Sequence, residues 1–190
     1  GKEFVVAATP LLDKIAPGIC AEPRINGSIF RINRDLRFSK DKTPYKDHLD
    51  FWFWHGLRKG AVTGLFARIA PQGVWVGAGA HSFSRDVLAS YRRAVDADET
   101  SLRTIVDGLT RAGYSVSDRE GSPDDPVAAR LARCKALFTV VEEPVALATD
   151  AKRLLPRLAE HWEAMAPLHL WLALRVQGTQ ARITMKPGSS

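Results

Sequence analysis

The apolar positions change period several times along the chain. Phe4, Val5, Ala8, Leu11, Leu12 and Ile15 recur at helical spacing, with Pro10 as a kink candidate and Pro17-Gly18 as the stop. After the turn signals Glu22-Pro23 and Asn26-Gly27 the period falls to two. Phe30, Ile32, Leu36 and Phe38 then alternate with Arg31, Asn33, Asp35 and Arg37, predicting a strand over 29–38. A second strand is expected over 48–54, where Leu49, Phe51 and Phe53 share one face and Trp52 and Trp54 the other. Bulk on both faces implies a strand that is central or covered on both sides. Residues 65–69 and 74–78 flank Pro71-Gln72-Gly73 and read as a hairpin.

Helical spacing then returns. Ser84 precedes a helix carrying Val87, Leu88, Tyr91 and Val95, and Asp98 opens another with Leu102, Ile105, Val106 and Leu109, closed by Gly113-Tyr114. The polar stretch 118–125 predicts a loop. Further helices are expected over 127–137 and 150–162, with a kink at Pro156. Pro167 is expected to separate these from a final apolar piece over 168–176, either helix or edge strand. Repeating strand-helix units are absent from this pattern. It predicts one α+β domain over 1–190, a mainly antiparallel sheet covered by helices.

Composition supports a packed core: 45% of residues are hydrophobic, including five Trp and eight Phe, which argues against a linker or a disordered chain. Cys20 and Cys134 form no CxxC motif and no dense framework, and they are expected to stay reduced and pack as small apolar residues rather than act as nucleophiles. No apolar run is long enough to span a bilayer, and Gly1-Lys2-Glu3 does not read as a signal peptide, so no membrane partner and a cytoplasmic location are expected.

Charge sharpens the picture. The chain carries a net +6, and between Arg24 and Lys46 seven Lys or Arg face two Asp, leaving +5 in that segment alone. The segment RINRDLRFSKDKTPYK is therefore where function is sought. On a strand, Arg31, Asn33, Asp35 and Arg37 share a face. Arg31 and Arg37 there offer two guanidinium forks to a carboxylate or phosphate, with Asp35 and Asn33 as orienting groups. Arg34 falls on the opposite, apolar face. Lys40, Lys42 and Lys46 follow as mobile point charges, beside the hydroxyl and ring of Tyr45.

Three readings of this segment stand. It binds a small phosphate- or carboxylate-bearing ligand; it forms an internal ion-pair network in a structural or protein-interaction module; or it binds nucleic acid. The first is carried forward. Asp35, among cations, should have a lowered pKa and make a poor base, which favours binding over acid-base catalysis and leaves enzymatic activity and cofactors open.

The motif Arg31, Asn33, Arg34, Asp35, Arg37, Phe38, Ser39, Lys40, Asp41, Lys42, Pro44, Tyr45 and Lys46 resembles the signature of the bacterial and fungal family called domain of unknown function 2461 (DUF2461). The run GVWVGAGAHSFSRDVLASYRRAV is similar to that family's glycine-bearing strand and following helix, through Val76, Gly77, Gly79, Leu88, Arg92 and Arg93. The resemblance implies a shared fold across most of the chain, preceded in the family by a further helical segment that this chain is expected to lack. It departs from the family pattern around 115–126.

Other candidates read more plainly. Gly77-Ala78-Gly79-Ala80 lacks the order of a phosphate loop and predicts close packing or a bulge. His48, His55, His81, His161 and His169 have no metal-finger or HExxH spacing, so no metal site is expected. His48, Asp50 and His81 are nonetheless candidates to meet in space, and His161 reads as a surface or satisfied core histidine. Glu142-Glu143 reads as surface, and Trp54 as a candidate stacking surface.

Overall fold

In the computed structural model, which describes residues 1–31, 45–58, 61–117 and 126–178, the first apolar stripe forms α1, Lys2–Ile15. It buries Val5, Ala8 and Leu12 and runs through Pro10 without ending. Phe4 meets Phe51 of β1, Leu49–Trp54, with ring centroids 4.4 Å apart. The expected strand over 29–38 is described at its first residues. Ile29 bridges Phe51 in antiparallel sense, and the Phe30 amide donates to the Asp50 carbonyl at 3.0 Å. Residues 32–38 lie outside the described part.

Strands β2, Gly64–Ala70, and β3, Gly73–Ala80, form the expected hairpin about Pro71-Gln72. With β4, Val116–Ser117, and β5, Leu137–Glu143, they form, among the described residues, a five-stranded sheet of order β1-β2-β3-β5-β4, antiparallel at every pairing. This is the expected α+β architecture, with β3 central.

Three elements depart from the expectations. The helix expected over 127–137 stops early: α3 is Val127–Arg133, and Leu137 begins β5. The run Leu137-Phe138-Thr139-Val140-Val141 is β-branched and aromatic, and pairing with central β3 outweighs the helical spacing that leads into it. The short edge strand β4 was not anticipated, because two residues carry no readable period. Finally, α4 is one helix, Ala151–Arg175, through both Pro156 and Pro167. An interior proline costs roughly 3 kcal/mol or more. Burying Leu168, Trp171 and Leu172 beyond Pro167 offsets it at roughly 1.5–3 kcal/mol for each large side chain.

The helix pair expected about Asp98 appears as α2, Arg85–Arg111, broken in its backbone at Asp98 (φ −149°, ψ 45°). There the Asp98 carboxylate accepts from the Ser101 hydroxyl at 2.6 Å and pairs with Arg175 at 3.0 Å, so it restarts the helix as a cap would. Ser84 caps the N-terminus by accepting from the Val87 amide, and Gly113 (φ +85°) follows the C-terminus.

Helices α1, α2 and α4 cover one face of the sheet. Phe51, Phe53, Leu65, Val76, Ala78 and Leu137 point into it and are fully or almost fully buried. Trp162 of α4 packs edge-on against Phe53 and donates its Nε1–H to the Phe66 carbonyl at 3.0 Å. Two histidines thread this interior. His55 Nε2 faces the Pro17 carbonyl at 3.1 Å, His55 Nδ1 faces His169 Nε2 at 2.9 Å, and His169 Nδ1 faces the Thr63 hydroxyl at 3.2 Å. A carbonyl at one end fixes the direction: Thr63 O–H donates to His169, His169 to His55, and His55 to Pro17. Burial, with His55 alongside, pushes the His169 pKa down to about 3, so the His169 ring stays neutral. Among the described residues, no helix is long and apolar enough to cross a membrane.

Candidate functional site

Among the described residues, no helix packs on the opposite face of the sheet. Strand alternation sends a different set of side chains there, and the antiparallel register arranges them in rows across the strands. Asp50, Arg68, Trp75 and Glu142 stand in one row, and Trp52, Phe66, Gly77 and Val140 in the next. Asp50, Arg68 and Trp75 of the first row and Trp52, Phe66 and Val140 of the second floor a cleft of about 720 Å³, walled by Phe30, Lys46, His48, His81 and Ser82. That volume suits a small organic molecule.

Glycine lets the rings lie flat. A Cβ at Gly77 would overlap the Phe66 ring, and one at Gly64 would overlap the indole of Trp52. Gly79, at φ +117°, brings its backbone against the Leu137 carbonyl. The Gly77-Ala78-Gly79-Ala80 run therefore serves close packing, as expected. His81, next along the chain, contacts Phe66 and Phe138 with ring centroids 5.2 and 4.5 Å away.

Charge enters at the β1 end. Arg68 grips Asp50 with two parallel bonds, Nε to Oδ1 at 2.6 Å and Nη2 to Oδ2 at 3.2 Å. Lys46 approaches the same carboxylate at 3.6 Å, and His48 at 3.3 Å. His48 also meets Asp47 through Nδ1 at 2.8 Å. Asp50 is thus the hub of three basic side chains. The structure brings His48 and Asp50 into contact and places His81 on the same cleft. Among the described residues, no group of three or more His, Cys, Asp or Glu is arranged to hold a metal ion.

Of the nine candidate residues named from the basic segment, three are described. Lys46 lines the cleft, Tyr45 is exposed, and Arg31 is exposed beside Phe30. Asn33, Arg34, Asp35, Arg37, Lys40 and Lys42 lie outside the described residues. The cleft residues Phe30 and Lys46 bracket this segment in the chain.

Arg58 was missed by sequence reasoning. Its guanidinium lies over three rings, 5.6 Å from the centroid of Phe30, 5.7 Å from Trp52 and 5.5 Å from Trp54. Its Nε is buried without a hydrogen-bond partner. A signal existed: a basic residue one short turn, His55-Gly56-Leu57, after Phe51-Trp52-Phe53-Trp54 has aromatic faces within reach. Trp54 itself is 1% exposed, stacked on Trp52 and bonded to the Gly56 carbonyl, so it is a supporting ring rather than the open stacking surface expected. Trp52 and Trp75 line the cleft instead.

A second polar cluster lies on the helix side. Glu143, expected at the surface, is mostly buried: its Oε1 meets His161 Nε2 at 2.7 Å and Arg157 Nε at 2.8 Å. These contacts, the His161 hydrogen bond foremost, hold its carboxyl below the usual range. Tyr114 O–H and His161 Nδ1 are 2.9 Å apart, so His161 is a satisfied core histidine linking β5, α4 and the end of α2. The Glu143 position could not be read as buried while residues 138–143 were assigned to no strand. Both cysteines are free thiols. Cys134 is buried, and burial and Glu22 push the Cys20 thiol up, which suits packing rather than nucleophilic chemistry.

The model of one family, described as conserved hypothetical protein (DUF2461), matches residues 1–171. The chain belongs to the DUF2461 family. The match covers every described strand and nearly all of α4, so the cleft of this DUF2461 protein is built wholly from family-matched sequence. No curated protein and no solved structure matches it.

Proposed function

We propose that this DUF2461 protein binds a small organic anion in the cleft on the open face of its sheet. The observation that carries the reading is the mixed lining: flat aromatic walls at Trp52, Phe66 and Trp75 meet the basic side chains Lys46 and Arg68 in one concavity. Aromatic walls take an apolar or planar body, while basic groups take a carboxylate or phosphate. The chain's charge supports it, since residues 24–46, which include the cleft residues Phe30 and Lys46, carry +5 of the net +6.

Thermal melting against dicarboxylates, nucleotides and aromatic carboxylates tests the reading. A ligand at a hundred times its Kd stabilises by about 2.7 kcal/mol, so one class should raise Tm in a saturable manner. No response from any of the three classes would reject it.

One observation favours a second reading, in which the basic residues serve an internal network: Asp50 already engages Lys46, His48 and Arg68. On that reading, removing the Asp50 charge lowers stability and changes no ligand affinity.

A further inference from the structure

Arg58 lies beside the cleft, over two of its lining rings, and differs from the lining Arg68 in one respect that physical chemistry makes informative. Arg68 has a bidentate carboxylate, although its side chain is about half exposed and water could serve its donors. Arg58 is partly buried among Phe30, Trp52 and Trp54, its Nε is shielded from water, and no acidic group pairs with it among the described residues. Ring faces attract the cation, but they accept poorly from in-plane N–H groups. Cation-π contact uses the flat face of a guanidinium, whereas recognition of an oxyanion uses its edge. The two are compatible. An arginine with rings against its face and its buried Nε–H unserved has a donor left for an oxyanion, and leaving a buried donor unsatisfied costs about 1–3 kcal/mol.

The position of the group says where the anion would come from. Phe30 and Trp52, two of the rings beneath Arg58, also line the cleft, as do Ala61 and Val62 a few residues further on. The same Trp52 indole lies flat across Gly64, and Phe66 lies flat across Gly77, so the adjoining wall is planar. We propose that Arg58 is the oxyanion contact of this cleft and that its ligand is a planar, aromatic molecule bearing a carboxylate or phosphate. The inference rests on the cleft being a ligand site and adds the residue that holds the anionic group and the shape of the body attached to it.

Calorimetric titration of the full chain with benzoate, phenyl phosphate and inorganic phosphate tests this, using the unaltered protein, Arg58→Lys and Arg58→Gln. Benzoate or phenyl phosphate should bind saturably and inorganic phosphate at least about tenfold more weakly, since it lacks the planar body. Whichever of the two aromatic probes binds more tightly distinguishes carboxylate from phosphate. Arg58→Lys keeps charge and stem but loses the fork, and should weaken binding by about tenfold with little change in the ligand-free Tm; Arg58→Gln should weaken it further.

Aromatic probes that bind all three proteins equally would overturn the role of Arg58 while leaving the cleft as a ligand site. No binding of any probe to the unaltered protein would overturn both. Inorganic phosphate binding as tightly as phenyl phosphate would overturn the planar ligand. Should either variant fail to fold, the Arg58 Nε–H resonance of the unaltered protein provides the readout: it should shift along the same saturation curve, and an unmoved resonance at saturation would overturn the assignment.

Discussion

The two faces of this sheet are made by alternate residues of the same strands, yet they obey different rules. On the helix-covered face Phe53, Leu65, Val76 and Leu137 are fully buried, and what matters there is volume. On the other face Trp52, Phe66 and Trp75 are only partly covered and stand beside Asp50, Arg68 and His48. On the proposed reading, large rings that no described helix covers, interleaved with charge and seated on glycine, form a surface shaped for a ligand more than a core left unfinished.

Replacing one tryptophan on each side should give the largest contrast. Trp162→Ala removes a fully buried ring and its bond to the Phe66 carbonyl, and should cost about 3–5 kcal/mol in urea denaturation. Trp52→Ala removes a half-buried ring whose loss opens the cleft to water, and should cost about 1–2 kcal/mol while abolishing ligand binding. Equal costs would mean that the open face is core after all.

Acid should act on the covered side next. His169 is buried neutral with its pKa at about 3, whereas the unfolded chain takes up a proton near 6.5. Its contribution is therefore complete above pH 6.5 and is lost progressively as pH falls toward 3. Between pH 7 and pH 5 the loss should be about 2 kcal/mol, and His169→Asn should flatten that slope in a pH series of denaturant midpoints. Glu143, with its pKa lowered mainly by the His161 bond, adds a further loss below about pH 4.5. An unchanged slope in the His169 variant would show that the histidine chain is open to protonation.

Glycine sharpens the comparison in the other direction. Gly77→Ala, a small change on the open face, drives a methyl into the Phe66 ring and should cost about 1–3 kcal/mol. Its effect on ligand affinity should exceed that on folding, because Phe66 must rise into the cleft. A variant with native stability and affinity would show that the ring has room to move.

How much of this was legible in the sequence follows from what carries each feature. The hairpin of β2 and β3, the start of α1 and the break at Asp98 rest on local signals: alternation, a turn and a capping residue. Strand β5 and the continuous α4 rest on tertiary pairing and burial that override local preference, so Leu137 and Pro167 misled. For the cleft, Lys46 and the meeting of His48 with Asp50 were visible as charges near one strand. Arg68 and Trp75 were not, since they join the site through cross-strand register, and Arg58 joins through ring faces that no spacing rule encodes.

The smallest effect separates the two readings of the cleft's charge. Asp50 bonds Arg68 bidentately and draws Lys46 and His48, while its own side chain is 16% exposed. Asp50→Asn keeps the shape and a carbonyl acceptor but removes the negative charge. Because Arg68 and Lys46 keep considerable contact with water, the loss of stability should be no more than about 1 kcal/mol. If the cleft takes an anion, the same change deletes a repulsive charge and releases two cations, so affinity for an aromatic carboxylate should rise severalfold as stability falls slightly. That gain should shrink as salt is added, since screening acts on exposed charges. If the cluster is purely structural, stability falls and affinity does not move. Opposite movements of melting and affinity in one variant, at low salt, are what a ligand site on this face requires.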